Sequence, residues 1–122
     1  MMAQRIMIID DNHMNLELVS YMLEADGFAV QLENGADTAL NSIPDFKPDL
    51  ILMDIQLPDM DGLELTRRLK ADPATSGIVI VAFTAYAMKG DEAKMLASGC
   101  DGYISKPINV STFISQVRTC LP

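Results

Sequence analysis

The stretch ILMDIQLPDMDG, residues 51–62, joins an apolar run to a carboxylate and then to a turn. The run of Leu50–Met53 has no polar interruption, which is typical of a strand that is covered on both faces. Pro58 and Gly62 then turn the chain. Because Asp54 stands where the apolar run ends, its charge needs a polar or cationic partner. The stretch therefore predicts a buried central strand with a polar site at its end.

Strand-like and helix-like segments alternate along the rest of the chain. This alternation predicts an α/β fold, a doubly wound parallel sheet of five strands with five helices on both faces. The length of 122 residues predicts one domain, residues 1–122. The predicted strands are residues 5–9, 28–32, 50–53, 78–83 and 102–104. The predicted helices are residues 16–25 closed by Gly27, 36–43 closed by Pro44, 63–71 opened by Asp61, 87–97 closed by Gly99, and one carrying Val110, Phe113, Ile114 and Val117.

Composition excludes several classes of protein. Seventeen acidic and nine basic residues give a net charge of -8, which disfavours binding to nucleic acid or to an anionic membrane. Two cysteines, Cys100 and Cys120, have neither disulfide-scaffold nor zinc-site spacing, so a reducing compartment is expected. No apolar run has the length of a membrane span or the pattern of a signal peptide. We therefore expect a soluble cytoplasmic protein.

Five polar residues follow or end the predicted strands, and ligands of such sheets bind beyond the carboxyl ends of the strands. Taken singly, an acid after a strand is more often a turn residue or a helix cap. Taken together, three carboxylates within about 4 to 6 Å would repel by roughly 3 kcal/mol per pair at an effective dielectric constant of about 20. Either one carboxylate is protonated or a cation neutralises them. The five residues are Asp10, Asp11, Asp54, Thr84 and Lys106.

Oxygen ligands at a rigid sheet edge suit Mg²⁺. Lys106 adds a fixed positive charge and Thr84 adds a hydroxyl donor. A metal, a cation, a donor and an attacking oxygen are the components of phosphoryl transfer. Asp54 is the best candidate for the attacking oxygen, because a carboxylate can act as a covalent nucleophile. We therefore predict that Asp54 is exposed, assisted by a metal and phosphorylated.

Four motifs in this order resemble the signatures of response-regulator receiver domains from two-component signalling. They are IIDDN at 8–12, LMDIQLPDMDG at 52–62, FTAYA at 83–87 and SKPI at 105–108. The resemblance extends over essentially the whole chain and implies the flavodoxin-like strand order 2-1-3-4-5. It also implies a cis peptide bond between Lys106 and Pro107. The implied metal ligands are Asp10, Asp11, Asp54 and the backbone carbonyl of Gln56, for Mg²⁺ with Mn²⁺ as an alternative, and the implied phosphoryl-binding side chains are those of Thr84 and Lys106.

The resemblance also implies a switch. Phosphorylation would draw Thr84 towards the phosphoryl group and let Tyr103 turn inward, with the fourth helix, fifth strand and fifth helix, residues 87–121, as the output face. The alternative for Tyr103 is a half-exposed strand residue without a switch role. The docking surface for a histidine kinase or a histidine phosphotransfer protein would include Asn15, Leu16, Val19, Pro107 and Ile108.

Three further residues carry predictions about the site. Gln56 and Tyr86 lie two positions after Asp54 and Thr84, where side chains can flank a phosphoryl group and control the entry of water. We hypothesise that the bulk of Tyr86 slows self-hydrolysis. His13 is predicted to be an exposed residue that opens the first helix, because hard Mg²⁺ prefers oxygen ligands.

The resemblance is strongest to stand-alone DivK-type receivers, which act in cell-division and cell-fate signalling. If the 122 residues are the whole protein, it signals by binding a downstream protein, as a monomer or a weak phosphorylation-dependent dimer. It would assist its own phosphorylation and dephosphorylation without being a turnover enzyme. The alternatives are a receiver domain from a hybrid histidine kinase and a binding module that works without phosphorylation. A flavin carrier would need a phosphate-binding loop where Asp10 and Asp11 stand, and an aspartyl phosphatase commonly has an acid where Gln56 stands.

Overall fold

The computed structural model describes residues 3–84 and 91–121. Strands and helices alternate throughout these residues, as the sequence predicts. The strands are β1 (Arg5–Ile9), β2 (Ala29–Glu33), β3 (Leu50–Met53), β4 (Val79–Thr84) and β5 (Gly102–Ser105). The helices are α1 (His13–Ala25), α2 (Ala36–Phe46), α3 (Gly62–Ala71), α4 (Asp91–Ser98) and α5 (Phe113–Cys120).

The five strands form one parallel sheet in the order β2-β1-β3-β4-β5. The predicted α/β class and strand order are therefore confirmed. The last residues of β1 and β3 lie side by side, because Ile9 pairs with Met53. Met53 also pairs with Ala82, and β4 continues two residues further to Thr84. The order reverses between β1 and β3, and residues that follow these strands meet where such sheets bind ligands.

The core consists of two apolar layers, one on each face of the sheet. Successive side chains of a strand point to opposite faces. Ile6 and Ile8 of β1 accordingly join the layer under α1 and α5, while Met7 and Ile9 join the layer under α2, α3 and α4. Burial on both faces explains why β1, β3 and β4 read as continuous apolar runs.

Helix α1 begins three residues earlier than the sequence predicts. The Asn12 side chain accepts hydrogen bonds from the backbone N–H groups of Met14 at 3.0 Å and Asn15 at 3.2 Å. This N-cap satisfies donors that have no partner inside the helix. His13 is the first helical residue and is exposed, as predicted.

Pro44 was predicted to close the second helix, and that prediction is wrong. Helix α2 continues through Pro44 to Phe46 and ends at Lys47, which has a left-handed φ of 53°. A proline in the last turn removes only one backbone hydrogen bond, and Phe46 packs against the core layer under α2. The N–H of Lys47 donates to the carbonyl of Ile43 at 2.9 Å and completes the turn.

The two last helices differ from the predicted bounds. The first residues of the predicted fourth helix, 87–90, lie outside the described residues. Val110 was predicted to lie on the fifth helix, but it is 65% exposed in the turn before α5. The prediction is wrong because Asn109 forms a turn there, accepting the backbone N–H of Ser111 on its side chain at 3.0 Å and that of Thr112 on its carbonyl at 3.1 Å.

The basic residues on α3 form ion pairs. Glu64 pairs with Arg67 and Arg68, and Lys70 pairs with Asp101 at 2.8 Å. Among the described residues, no helix has the length and apolar composition needed to cross a membrane.

Candidate functional site

Three carboxylates meet at the carboxyl edge of the sheet. One carboxylate oxygen from each of Asp10, Asp11 and Asp54 lies within 4.8 Å of the other two. Asp10 is fully buried, Asp54 is 8% exposed, and Asp11 is exposed at the mouth of the cluster. The predicted three-acid cluster is therefore present in the structure.

The prediction that Asp54 is exposed is wrong. Asp54 follows the central strand β3 directly, and its backbone N–H donates to the carbonyl of Ile9 at 2.9 Å. The residue is therefore held between its neighbours in the middle of the sheet edge. Access to the cluster is from the side of Asp11.

Lys106 supplies the cation of the cluster. Its Nζ donates to Oδ2 of Asp10 at 2.7 Å and lies 3.5 Å from Oδ2 of Asp54, the limit of a hydrogen bond. Its backbone N–H donates to the carbonyl of the buried Thr84 at 2.8 Å. The peptide bond between Lys106 and Pro107 is cis.

The cluster holds more negative than positive charge. If Asp10, Asp11 and Asp54 are all ionised, one ammonium leaves an excess of two negative charges. Burial raises the pKa of Asp54, as does the nearby Asp10, whereas the N–H of Gln56 and the charge of Lys106 act in the opposite direction. Oxygen donors with this excess of charge and one exposed member fit a divalent cation that prefers oxygen, such as Mg²⁺.

The raised pKa of Asp54 predicts that Asp54→Asn stabilises the protein when metal is chelated. Ionised Asp54 costs stability, because folding favours its neutral form. This cost is absent below the pKa of an unfolded aspartate, about 3.9, and complete above the raised folded pKa. In EDTA at pH 7 we expect Asp54→Asn to have a higher free energy of unfolding than the wild type, and we expect this difference to shrink as the pH falls through this window.

Urea denaturation at several pH values measures this difference. Asp59→Asn is a control for which we expect the opposite change, a lower free energy of unfolding at pH 7. The reason is that backbone N–H groups lower the pKa of Asp59, so its ionised form stabilises the fold. An Asp54→Asn protein that is less stable than the wild type at pH 7 would contradict the assignment of a strained, buried charge.

The loop after Asp54 is held by backbone contacts. The N–H of Gln56 donates to Oδ1 of Asp54 at 3.1 Å, and Gln56 forms an isolated bridge with Asp61. The N–H of Gly62 donates to the carbonyl of Ile55 at 2.8 Å. These contacts fix the backbone of Gln56 beside the cluster.

Asp59 is a structural residue of this loop that the sequence analysis missed. Its carboxylate accepts the backbone N–H groups of Ala36 at 2.9 Å and Asp37 at 3.0 Å, in the first turn of α2. These two donors hold the pKa of Asp59 below its ordinary value. The signal in the sequence is Gly35, which stands at the N-cap of α2 and has no side chain to cap it.

The prediction of docking residues on the first helix is wrong in part. Leu16 and Val19 are buried in the core layer under α1, because they lie on the inner face of the helix. The exposed apolar side chains of α1 are those of Met14, Leu18 and Tyr21.

The remaining predicted residues occupy the surface near the site. Tyr103 is 39% exposed on β5, and Pro107 is exposed. Asn15 and Ile108 are half-buried. Tyr86, the predicted control on lifetime, lies outside the described residues. Cys100 and Cys120 are free thiols, and burial raises the pKa of both.

Comparison with known proteins agrees with this geometry. Residues 6–118 match the family model of the response regulator receiver domain. The polar-differentiation response regulator DivK of Brucella anthropi is 45% identical over 121 residues, which is 98% of each chain.

Solved structures show the same architecture. The receiver domain of the sensor histidine kinase PA1611 from Pseudomonas aeruginosa PAO1, with a magnesium ion coordinated in its active-site cleft, is 30% identical with a TM-score of 0.86 over 97% of both chains. The chemotaxis response regulator CheY4 of Vibrio cholerae is 22% identical with a TM-score of 0.92, over 98% of this chain and 100% of its own, and supports the fold.

Receiver domains are phosphoacceptor modules of two-component signalling rather than turnover enzymes. They bind Mg²⁺ at an acidic site and interact with histidine kinases and downstream effectors. The family match over residues 6–118, the full-length relative and the three-acid cluster lead to one identification. The chain belongs to the response regulator receiver domain family.

Proposed function

We propose that Asp54 accepts a phosphoryl group from a phosphohistidine on a histidine kinase or a histidine phosphotransfer protein. The observation that carries this proposal is the cluster of three carboxylates within 4.8 Å, with Lys106 Nζ 3.5 Å from Asp54. Such a cluster brings together an attacking oxygen, oxygen ligands for a cation and a fixed positive charge.

Asp10, Asp11, Asp54 and the backbone carbonyl of Gln56 would hold Mg²⁺, with Mn²⁺ as an alternative. When bound, the ion supplies positive charge to the carboxylates and to the phosphoryl oxygens. The magnesium ion in the related PA1611 receiver domain supports this assignment.

The chain's own residues then have separate roles. An oxygen of Asp54 attacks phosphorus, and the bond between phosphorus and the donor imidazole breaks, with its electron pair leaving on the imidazole nitrogen. Lys106 and the hydroxyl of Thr84 bind phosphoryl oxygens. The partial burial of Asp54 keeps bulk water from the acyl phosphate, and loss of the phosphoryl group by self-hydrolysis follows more slowly.

Phosphorylation would then change the affinity for a downstream protein. The added charge at Asp54 draws Thr84, Tyr103 turns inward, and the surface formed by α4, β5 and α5 is altered. We assign this signal to the cytoplasm and to a single receiver domain acting as a monomer or a weak phosphorylation-dependent dimer. The DivK relative favours a role in cell division or cell fate.

A second candidate is a receiver domain that works within a hybrid histidine kinase. The PA1611 receiver domain, 30% identical to this chain, belongs to a sensor histidine kinase and favours this alternative. The two candidates share the chemistry at Asp54 and differ only in the partner.

Intact mass spectrometry after incubation with acetyl phosphate and Mg²⁺ tests the proposal. We expect a mass increase of one phosphoryl group, which EDTA prevents. No increase in the wild type at any Mg²⁺ concentration would overturn the proposed function and favour a module that binds partners without phosphorylation.

A further inference from the structure

The ammonium of Lys106 is enclosed by an aromatic ring as well as by the two acids. Its Nζ lies 4.9 Å from the centroid of the Phe83 ring, within the range of a cation–π contact. The lysine side chain is only 15% exposed. Because a cation–π attraction strengthens when the cation is shielded from water, the contact is in the favourable regime.

The Phe83 ring has a fixed position of its own. Phe83 is 1% exposed, and its ring centroid lies 6.1 Å from that of Phe113 with a tilt of 38°. This separation is typical of a packed aromatic pair. Phe113 is the first residue of α5 and is fully buried. Because Phe83 is packed within the core layer under α1 and α5 and not against Phe113 alone, its ring presents a constant surface to the lysine.

The register of the sheet brings the ring and the lysine together. Phe83 precedes Thr84 in β4, and these two residues pair with Ile104 and Ser105 of β5. The next residue, Lys106, donates its backbone N–H to the carbonyl of Thr84. The stem of the lysine therefore starts beside β4, and its end reaches the Phe83 ring.

The carboxylates alone hold the lysine unevenly. Nζ is 2.7 Å from Asp10 but 3.5 Å from Asp54, so the stronger attraction is towards Asp10. Exposed Asp11 adds negative charge on the solvent side of the cluster. The ring face is an attractive surface that carries no formal charge and does not compete as a hydrogen-bond acceptor with either acid.

We propose that Phe83 is a positioning residue for Lys106: while the ammonium donates to Asp10, the ring limits its movement and keeps it within reach of Asp54. The value of this position rests on the proposed function, in which Lys106 binds a phosphoryl oxygen on Asp54. The contact itself is a property of the unmodified, metal-free protein and is measured without any phosphoryl donor.

A matched pair of substitutions separates positioning from packing. Phe83→Leu and Phe113→Leu remove the same atoms from two buried rings that touch each other, but only Phe83 contacts Lys106. Both variants leave similar cavities. Phe83→Met is a second variant at the same position, because methionine fills irregular space without presenting an aromatic ring face.

The first readout is the NMR spectrum of the Lys106 side chain in EDTA. Protons above an aromatic face are shifted upfield by its ring current. We expect upfield-shifted ε protons in the wild type and in Phe113→Leu, and shifts near those of a solvated lysine in both Phe83 variants. Lysine shifts that do not differ between the wild type and the Phe83 variants would overturn the proposal.

The second readout is the rate of phosphorylation by acetyl phosphate at saturating Mg²⁺. We expect both Phe83 variants to react about three- to tenfold more slowly than the wild type, and Phe113→Leu to stay within about twofold of it. Equal slowing in Phe83→Leu and Phe113→Leu would reduce the role of Phe83 to packing and overturn the proposal. A wild type that takes up no phosphoryl group would refute the proposed function, while the NMR comparison would still decide whether the ring holds the lysine.

Discussion

We expect Lys106→Met to lower the free energy of unfolding by about 3 kcal/mol at pH 7 in EDTA. The substitution keeps the length of the side chain but leaves fully buried Asp10 and nearly buried Asp54 without their cation. Removing one partner of a buried ion pair is strongly destabilising, because the remaining charge stays out of water. Phosphorylation by acetyl phosphate should also slow, since Lys106 is the cation that pairs with Asp54 among the described residues.

The loss of stability in Lys106→Met should depend on pH and on metal. The charge of Lys106 lowers the pKa of Asp54, so this pKa rises further when the lysine is removed. The folded variant then binds more protons than its unfolded chain, and the loss shrinks as the pH falls through the raised pKa. Mg²⁺ should recover part of the stability by binding only the folded form.

Chemical denaturation with and without Mg²⁺ measures both effects. Lys94→Met is the matched control, because Lys94 is exposed on α4 and its replacement should change the stability by less than about 0.5 kcal/mol. Equal stability of Lys106→Met and the wild type in EDTA would show that the lysine does not neutralise the acids.

Gly62→Ala is expected to destabilise the protein by about 3 kcal/mol. A Cβ atom on Gly62 would lie 2.4 Å from the backbone carbonyl oxygen of Asp54 and 2.8 Å from Cα of Ile55. One of these backbone atoms belongs to Asp54 and the other to the residue after it. Relief of the clash therefore moves Asp54 or the start of α3. We therefore expect phosphorylation to slow together with the loss of stability.

Thermal denaturation compares this variant with Gly77→Ala. No atom lies within 4 Å of a Cβ built on Gly77, so that substitution should be neutral or slightly stabilising. The expected fall in Tm for Gly62→Ala is about 10 °C. Similar melting of the two variants would mean that the loop adapts to the extra atom, contrary to the backbone contact that the structure assigns.

The order of elements and the site could be predicted because both follow from local signals. A strand buried on both faces must read as an apolar run, and the residue after it must lie at the edge of a parallel sheet. Asp10 and Asp54 are such residues, Asp11 comes next after Asp10, and Lys106 directly follows the edge strand β5. Their positions along the chain were therefore sufficient to bring them together.

Features that depend on contacts between distant segments could not be predicted. Asp59 caps a helix that begins 23 residues earlier, and Gly35 at the N-cap of that helix does not indicate which distant residue supplies the cap. Pro44 was predicted to end α2 because the local sequence does not indicate that Phe46 packs against the core. The contact between Phe83 and Lys106 depends on the register of β4 and β5. The burial of Asp54 depends on the neighbours that enclose it at the sheet edge, which its place after an apolar run does not specify.

The position of the phosphoryl group is the most direct test of the mechanism. Borohydride reduces an aspartyl phosphate to homoserine, and peptide mass spectrometry of the treated protein then identifies the residue that carried the group. After phosphorylation with Mg²⁺ we expect homoserine at residue 54 alone, and none in Asp54→Asn or in a sample with EDTA. Homoserine at Asp10, Asp11 or Asp59, or its persistence in Asp54→Asn, would contradict the assignment of Asp54 as the phosphoacceptor.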